Sequence, residues 1–185
     1  MDLLARWNRR INLTSLPLEP AADAAIDRLV VESLVAAPHA GRPGASVLDV
    51  GSGAGSPAIP LKLARPDLRL VMVEARARKS AFLREAVRSL GLEAVGVATG
   101  RLEDLIQTPS YQQTFDSITV RAVRLEQTLL EAMARALRPG GRLLEFASVA
   151  ERPNVCEEFT LHDTIGLPGG CELRIGGVKA EAERE

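Results

Sequence analysis

The stretch Val47–Leu61, VLDVGSGAGSPAIPL, sets Gly51, Gly53, Gly55 and Ser56 directly behind an apolar run whose single acid is Asp49. Glycines behind a buried strand let the backbone turn sharply and let a ligand approach where a side chain would collide. Two phosphate-binding loops do not fit. A nucleoside triphosphate loop needs a lysine and a hydroxyl residue after its last glycine, and a dinucleotide loop needs glycine where Ser56 stands. Asp49 adds an electrostatic argument, since a carboxylate close to the loop repels a pyrophosphate and favours an ammonium or sulfonium. Glu74 closes the next apolar run, 23 residues beyond Gly51, where an acid can accept hydrogen bonds from a ribose diol. Together these residues describe a cationic adenosine ligand without phosphates, and S-adenosylmethionine (S-adenosyl-L-methionine) fits that description. A bare tight turn with a solvated strand-end acid, or a nicotinamide site, are the competing readings.

Positioning such residues requires strands that alternate with helices. The spacing of Leu3, Leu4, Trp7 and Ile11 predicts a first helix, and Ile26, Leu29, Val30 and Leu34 fall on one side of a second, from about Ala21 to Ala37. Strands are predicted at Ser46 to Val50, Leu68 to Val73, Ala94 to Ala98, Ser117 to Val120 and Arg142 to Phe146. Helices are predicted at Pro57 to Ala64, Arg78 to Leu90, near Leu102 to Ile106, and at Leu125 to Leu137. Ser56-Pro57 reads as N-cap and first helical residue, Gly91 as a left-handed C-terminal stop, and Pro139-Gly140-Gly141 as a break before the last central strand. Thr108 to Thr114 reads as a polar loop. Two weaker strands, Glu158 to Ile165 and Cys171 to Val178, form a candidate antiparallel pair. The fold class is α/β: a doubly wound, mostly parallel sheet with a terminal antiparallel hairpin. One domain is expected, with N-terminal helices in residues 1–40 packed on a core in 41–180 and a frayed tail at 181–185.

Composition narrows the partners. With 23 basic and 24 acidic residues among 185, the net charge is -1, so any nucleic-acid surface must be local. Two cysteines, Cys156 and Cys171, are too few for a disulfide framework; they read as small buried apolar residues in a reducing, cytoplasmic protein. No apolar stretch is long enough to span a membrane, the first residues lack the apolar core of a secretion signal, and no metal-ligand spacing occurs. His39 and His162 have no patterned surroundings.

The stretches WNRRINLTS, VLDVGSGAGSPAIPLKLARPDLRLVMVEARARK, GRLEDL, FDSITVRAV and LRPGGRLL resemble the small-subunit ribosomal RNA guanine-N7 methyltransferases, also called the glucose-inhibited division protein B family. The resemblance runs in order from about Ala5 to Phe146. It implies a class I methyltransferase fold with a seven-stranded sheet, S-adenosylmethionine as cofactor, and a guanine of small-subunit (16S) ribosomal RNA as acceptor. It places Gly51 and Ser56 against the cofactor, with Ser56 in place of the usual phenylalanine. Leu102 and Glu103 fall in the pair that flanks the adenine, and Arg121 matches the arginine at the end of strand four, which also places it among the cofactor contacts. Arg78 and Lys79 match a basic pair after the ribose acid. The chain departs from the family in three places: Leu29 stands where a histidine is usual, Ala147-Ser148 where Lys-Gly is usual, and the region between Ser148 and Leu161 is shorter.

The implied chemistry makes few demands. Guanine N7 carries a lone pair and no hydrogen at neutral pH, so attack on a sulfonium methyl needs positioning rather than a general base. Arg121 is the candidate that orients the guanine, through O6 or a nearby phosphate, and a structural ion pair is its alternative role. Arg9, Arg10, Arg78 and Lys79 are the candidate RNA contacts, while Arg84 and Arg88 lie one turn apart on a helix whose apolar face is Phe82, Leu83, Val87 and Leu90. Aromatic residues make up only 3% of the chain, which leaves few stacking platforms for single-stranded RNA. A methyltransferase for a small molecule or protein, and a cofactor-binding homologue without catalysis, remain as alternatives.

Overall fold

The computed structural model describes residues 1–18, 23–150 and 158–179. Cys156 and the expected tail lie outside them. Helix α1 (Asp2–Ile11) is followed by α2 (Asp23–Ile26), a π-helical turn (Asp27–Val31), α3 (Glu32–Leu34) and a 3₁₀ turn (Ala37–His39). Then come β1 (Ser46–Val50), α4 (Ala58–Ala64), β2 (Arg69–Glu74), α5 (Ala77–Ser89), β3 (Val95–Thr99) and α6 (Leu102–Leu105). A 3₁₀ turn at Pro109–Tyr111 lies within the expected polar loop, and β4 (Phe115–Arg121), α7 (Gln127–Ala136) and β5 (Leu137–Ser148) come after it. The last two strands are β6 (Phe159–Leu167) and β7 (Cys171–Val178).

The strands form one sheet of order β3-β2-β1-β4-β5-β7-β6. The first five are parallel, and β7 runs antiparallel between β5 and β6. Order reverses beside β1, and in open α/β sheets the crevice at that point, outside the carboxyl ends of the strands, is where ligands bind. All five residues of β1 are buried, as a strand covered on both faces must be. Leu48 and Val50 pack with Leu129, Leu130 and Met133 of α7 on one face. Val47 packs with Leu61 of α4 and Phe82 and Leu83 of α5 on the other, where Leu4 of α1 and Leu29 also lie. Trp7 fixes α1 on α5, edge-on to Phe82 at 6.0 Å and donating its indole N–H to Glu85 Oε2 at 3.1 Å.

Four local expectations change. The second helix is not continuous: the Glu32 N–H donates to Asp27 O, five residues back, and this extra residue rotates the rest of the helix by roughly a third of a turn. Leu34 therefore faces out at 40% exposure, while Glu32 and Ser33 turn inward. Ser56 makes no N-cap; α4 begins after Pro57, and the Ser56 hydroxyl turns to the preceding helix. Pro139-Gly140-Gly141 does not separate helix from strand, because β5 starts at Leu137 and carries the three residues as a bulge between the pairs Phe115↔Leu137 and Ser117↔Arg142. Leu90 is 49% exposed, so it leaves the apolar face assigned to α5; Gly91 just beyond it has φ +61°, as a left-handed stop requires. Among the described residues, no helix is long and apolar enough to cross a membrane, and no group of three or more His, Cys, Asp or Glu side chains is placed to hold a metal.

Candidate functional site

The glycine loop lies over the carboxyl ends of β1 and β2. Gly51 and Ser52 both donate their N–H groups to Val73 O, at 2.9 and 3.1 Å, which bends the chain back across β2. The bend leaves Gly51 at φ +71°, and a Cβ there would run into Val123 Cγ2 on the loop that follows β4. Gly51 is thus required twice, by conformation and by space.

Glu74 sits beneath this loop. Its Oε2 accepts the Gly53 N–H at 3.0 Å and its Oε1 accepts the Arg76 N–H at 2.8 Å, so one carboxylate joins the loop to the start of α5. Each oxygen keeps a further lone pair, the capacity a ribose diol would use. Asp49 is fully buried below the loop; its Oδ1 accepts the Thr119 hydroxyl at 2.6 Å, and its Oδ2 has no hydrogen-bond partner among the described residues. Burial pushes its carboxyl up to about 6, against the opposing pull of Ser52, Thr119 and Arg121. A backbone packed too closely for side chains at Gly51 and Gly55, a strand-end carboxylate with spare acceptors and a buried acid with one open oxygen all suit a cationic adenosine cofactor. Leu102 is packed in the core at 1% exposure, and Glu103 beside it is partly exposed.

Arg121, at the tip of β4, is placed inward. Its guanidinium donates to Arg28 O and to Ser56 Oγ (3.2 Å), lies 3.3 Å from Glu32 Oε2, and stacks 4.2 Å above the Phe146 ring. Burial lowers it to about 10. Glu32 also takes Arg28 Nη1 at 3.0 Å, so two arginines share one buried carboxylate, while Arg28 Nη1 further donates to Cys171 Sγ. Ser56 joins this group through Leu29 O and Ser33 Oγ, at 2.8 and 3.1 Å, and so faces the 23–34 segment. Glu32 and Ser33 escape a helical-periodicity reading because the π-turn brings them in.

Beyond Val123, over the carboxyl ends of β4 and β5 and the amino-terminal half of β7, opens a cavity of ≈ 800 Å³. Arg28, Arg124, Glu145, Phe146 and Arg174 line it. Arg174 and Glu145 are direct register partners on β7 and β5, with Nη1 and Oε2 3.7 Å apart. Arg174 also donates through Nε to Glu172 Oε1 at 2.6 Å and through Nη2 to Ser148 O at 3.3 Å. A buried guanidinium from β7 thereby serves the end of β5, where the resemblance expects a lysine and Ala147 stands buried instead. Periodicity gives no signal for this pairing; it depends on the antiparallel register of β5 and β7.

The four candidate RNA contacts lie on two touching helices. Arg9 and Arg10 are exposed in the last turn of α1. Arg78 is exposed in the first turn of α5, and Lys79 Nζ lies 4.0 Å from the position a Cβ on Gly53 would take, at the edge of the loop. Arg84 is instead tied to β3 through Val97 O and Thr99 Oγ1.

Residues 1–158 match the family described as GidB: rRNA small subunit methyltransferase G. Ribosomal RNA small subunit methyltransferase G of Roseiflexus sp. (strain RS-1) is 39% identical over 141 residues, covering 76% of this chain and 59% of that protein. The protein of the same name from Desulfitobacterium hafniense (strain Y51) is 33% identical over 184 residues, covering 98% of this chain and 74% of its own length. The chain thus spans about three fifths to three quarters of these relatives. A SAM dependent methyltransferase from Aquifex aeolicus superposes with a TM-score of 0.67 at 18% identity, over 85% of this chain and 94% of that one, a likeness of fold. The order of strands, the loop above Glu74 and the match over residues 1–158 converge, and the chain belongs to the rRNA small subunit methyltransferase G family.

Proposed function

We propose that this chain methylates N7 of a guanine in small-subunit ribosomal RNA with S-adenosylmethionine as donor, working in the cytoplasm on the small ribosomal subunit or its RNA. The observation that carries the reading is Glu74, whose two oxygens accept the backbone N–H groups of Gly53 and Arg76 beneath a loop in which Gly51 and Gly55 leave no room for a side chain. Gly51, Gly53 and Gly55 would bring backbone against the methionine end of the cofactor, Glu74 would take its ribose hydroxyls, and Asp49 would face its positive charge. Leu102 and Glu103 would border the adenine. When bound, the cofactor supplies a methyl group on a sulfonium, which N7 can accept with no proton to remove.

The chain's own part is positioning and exclusion of water, worth up to about 7–11 kcal/mol where the reacting atoms are aligned. Arg121, fixed by Glu32 and Phe146, would border the acceptor end and orient the guanine through a group other than N7, where methylation creates positive charge. Arg9, Arg10, Arg78 and Lys79 would contact phosphates.

A small-molecule or protein acceptor is the second reading. It draws support from Arg121, which is committed to internal partners, and from Ala147 in place of a lysine. Tritium transfer from labelled cofactor separates the two. Label in small-subunit RNA taken from cells that lack this enzyme, released on hydrolysis as 7-methylguanine, is the expected result; label confined to small metabolites or protein overturns it.

A further inference from the structure

The cavity over β4, β5 and β7 is lined by Val123, the side chain that a Cβ on Gly51 would meet, so it adjoins the glycine loop. We infer that it receives the acceptor base and that Glu145 selects guanine by accepting hydrogen bonds from its N1–H and 2-amino group; this rests on the methyltransferase reading above. At ≈ 800 Å³ the space suits a nucleobase with its sugar. A carboxylate accepts only, and its two oxygens match two adjacent donors. Guanine alone presents such a pair on its Watson–Crick edge. Adenine and cytosine each place a ring acceptor there, and uracil sets its one N–H between two carbonyls.

Direction supports the same assignment. N7 lies on the edge of the purine away from N1 and the 2-amino group. β5 is two strands from β1, roughly 10 Å at ordinary strand spacing. A guanine with its Watson–Crick edge on Glu145 therefore turns N7 toward the glycine loop. Rigidity supports it too: Arg174, its side chain 3% exposed, is pinned on Glu172 and Ser148 O, and it lies 3.7 Å from the Glu145 carboxylate on the neighbouring strand. Arg124, 89% exposed on the loop after β4, stands at the mouth as a donor for O6 or a phosphate.

The test compares two RNAs and two proteins. The guanine labelled by the wild-type chain is located by borohydride and aniline cleavage, and a matching RNA is made with inosine there, which keeps N7, O6 and N1–H but lacks the 2-amino group. Losing one hydrogen bond to a charged acceptor should lower wild-type kcat/KM roughly tenfold to a hundredfold on inosine. Glu145→Gln should act on both RNAs at nearly equal, reduced rates, with cofactor affinity unchanged by calorimetry. The same guanine preference in Glu145→Gln as in the wild type, or a wild-type ratio near one, overturns the assignment. If Glu145→Gln loses its fold, the wild-type ratio alone decides. Absence of transfer to either RNA by the wild type is a different result; it removes the methyltransferase reading and this assignment with it.

Discussion

At the loop end of the cleft, backbone N–H groups of Gly53 and Arg76 converge on one carboxylate, Glu74, and the groups involved lie within 28 consecutive residues, Asp49 to Arg76. At the β4–β5–β7 end, charged side chains distant in sequence pair in two groups, Arg28 and Arg121 on Glu32, and Arg174 on Glu145. The first end depends on side chains packed directly against glycine backbone. The second depends on buried charges that remain matched. Loss of volume control should therefore damage one end, and loss of a charge the other.

Glu32→Ala is the strongest way to break this division. It leaves the Arg121 guanidinium buried without its carboxylate and removes one partner of Arg28; breaking a buried pair in this way costs about 3–5 kcal/mol. Urea unfolding at pH 7 should show that loss, while the dissociation constant for S-adenosylmethionine stays within about threefold of wild type. A tenfold change in cofactor affinity without a change in stability would mean that the two ends act as one site. Next in size is Gly51→Val. Holding a branched residue at φ +71° costs about 1–2 kcal/mol, and the collision with Val123 adds about 1–3, so cofactor affinity should fall on the order of a hundredfold by calorimetry. Adding Val123→Ala should restore roughly a factor of ten by removing the collision and leaving the strain. Failure of that second change to restore anything would show that space at Gly51 is not what the loop protects.

The same contrast explains what the sequence made legible. Strand β1 is predicted to the residue, and the other central elements within a few residues except the start of β5, because each announces itself through local apolar runs and turn residues. Gly51 and Glu74 could be named for the same reason: each sits at the end of a readable strand. The acceptor end was legible only in part. Arg121 stood out at a strand tip, but its ion pair needs Glu32, which a helical wheel sends to the wrong side because it assumes 3.6 residues per turn through Asp27–Val31. Glu145 and Arg174 lie 29 residues apart, and only the antiparallel register makes them neighbours. Ser56 reads as a helix cap by type, yet its hydroxyl is held by Leu29 O and Ser33, partners set by the packing of a distant segment.

Asp49 tests where the boundary between the two ends runs. Its carboxyl is held up to about 6 by burial, against an ordinary value of 3.8. An acid whose pKa rises on folding keeps its proton in the native protein at pH values where the unfolded chain has released it. Between pH 3.8 and 6 its contribution to stability therefore falls as pH rises, by on the order of 2–3 kcal/mol, and it is level on either side. Asp49→Asn lacks this slope, so its stability should gain on the wild type by about that amount from pH 4 to 7, measured by urea unfolding. A cationic cofactor favours the ionised carboxylate, and its affinity for the wild type should accordingly rise with pH through about 6 and level off, while Asp49→Asn shows no such rise. Should wild-type affinity stay flat from pH 5 to 7, Asp49 does not feel the cofactor. The acid would then belong with Thr119 and Arg121 to the charge network of the acceptor end, and the loop would hold its ligand through backbone and Glu74 alone.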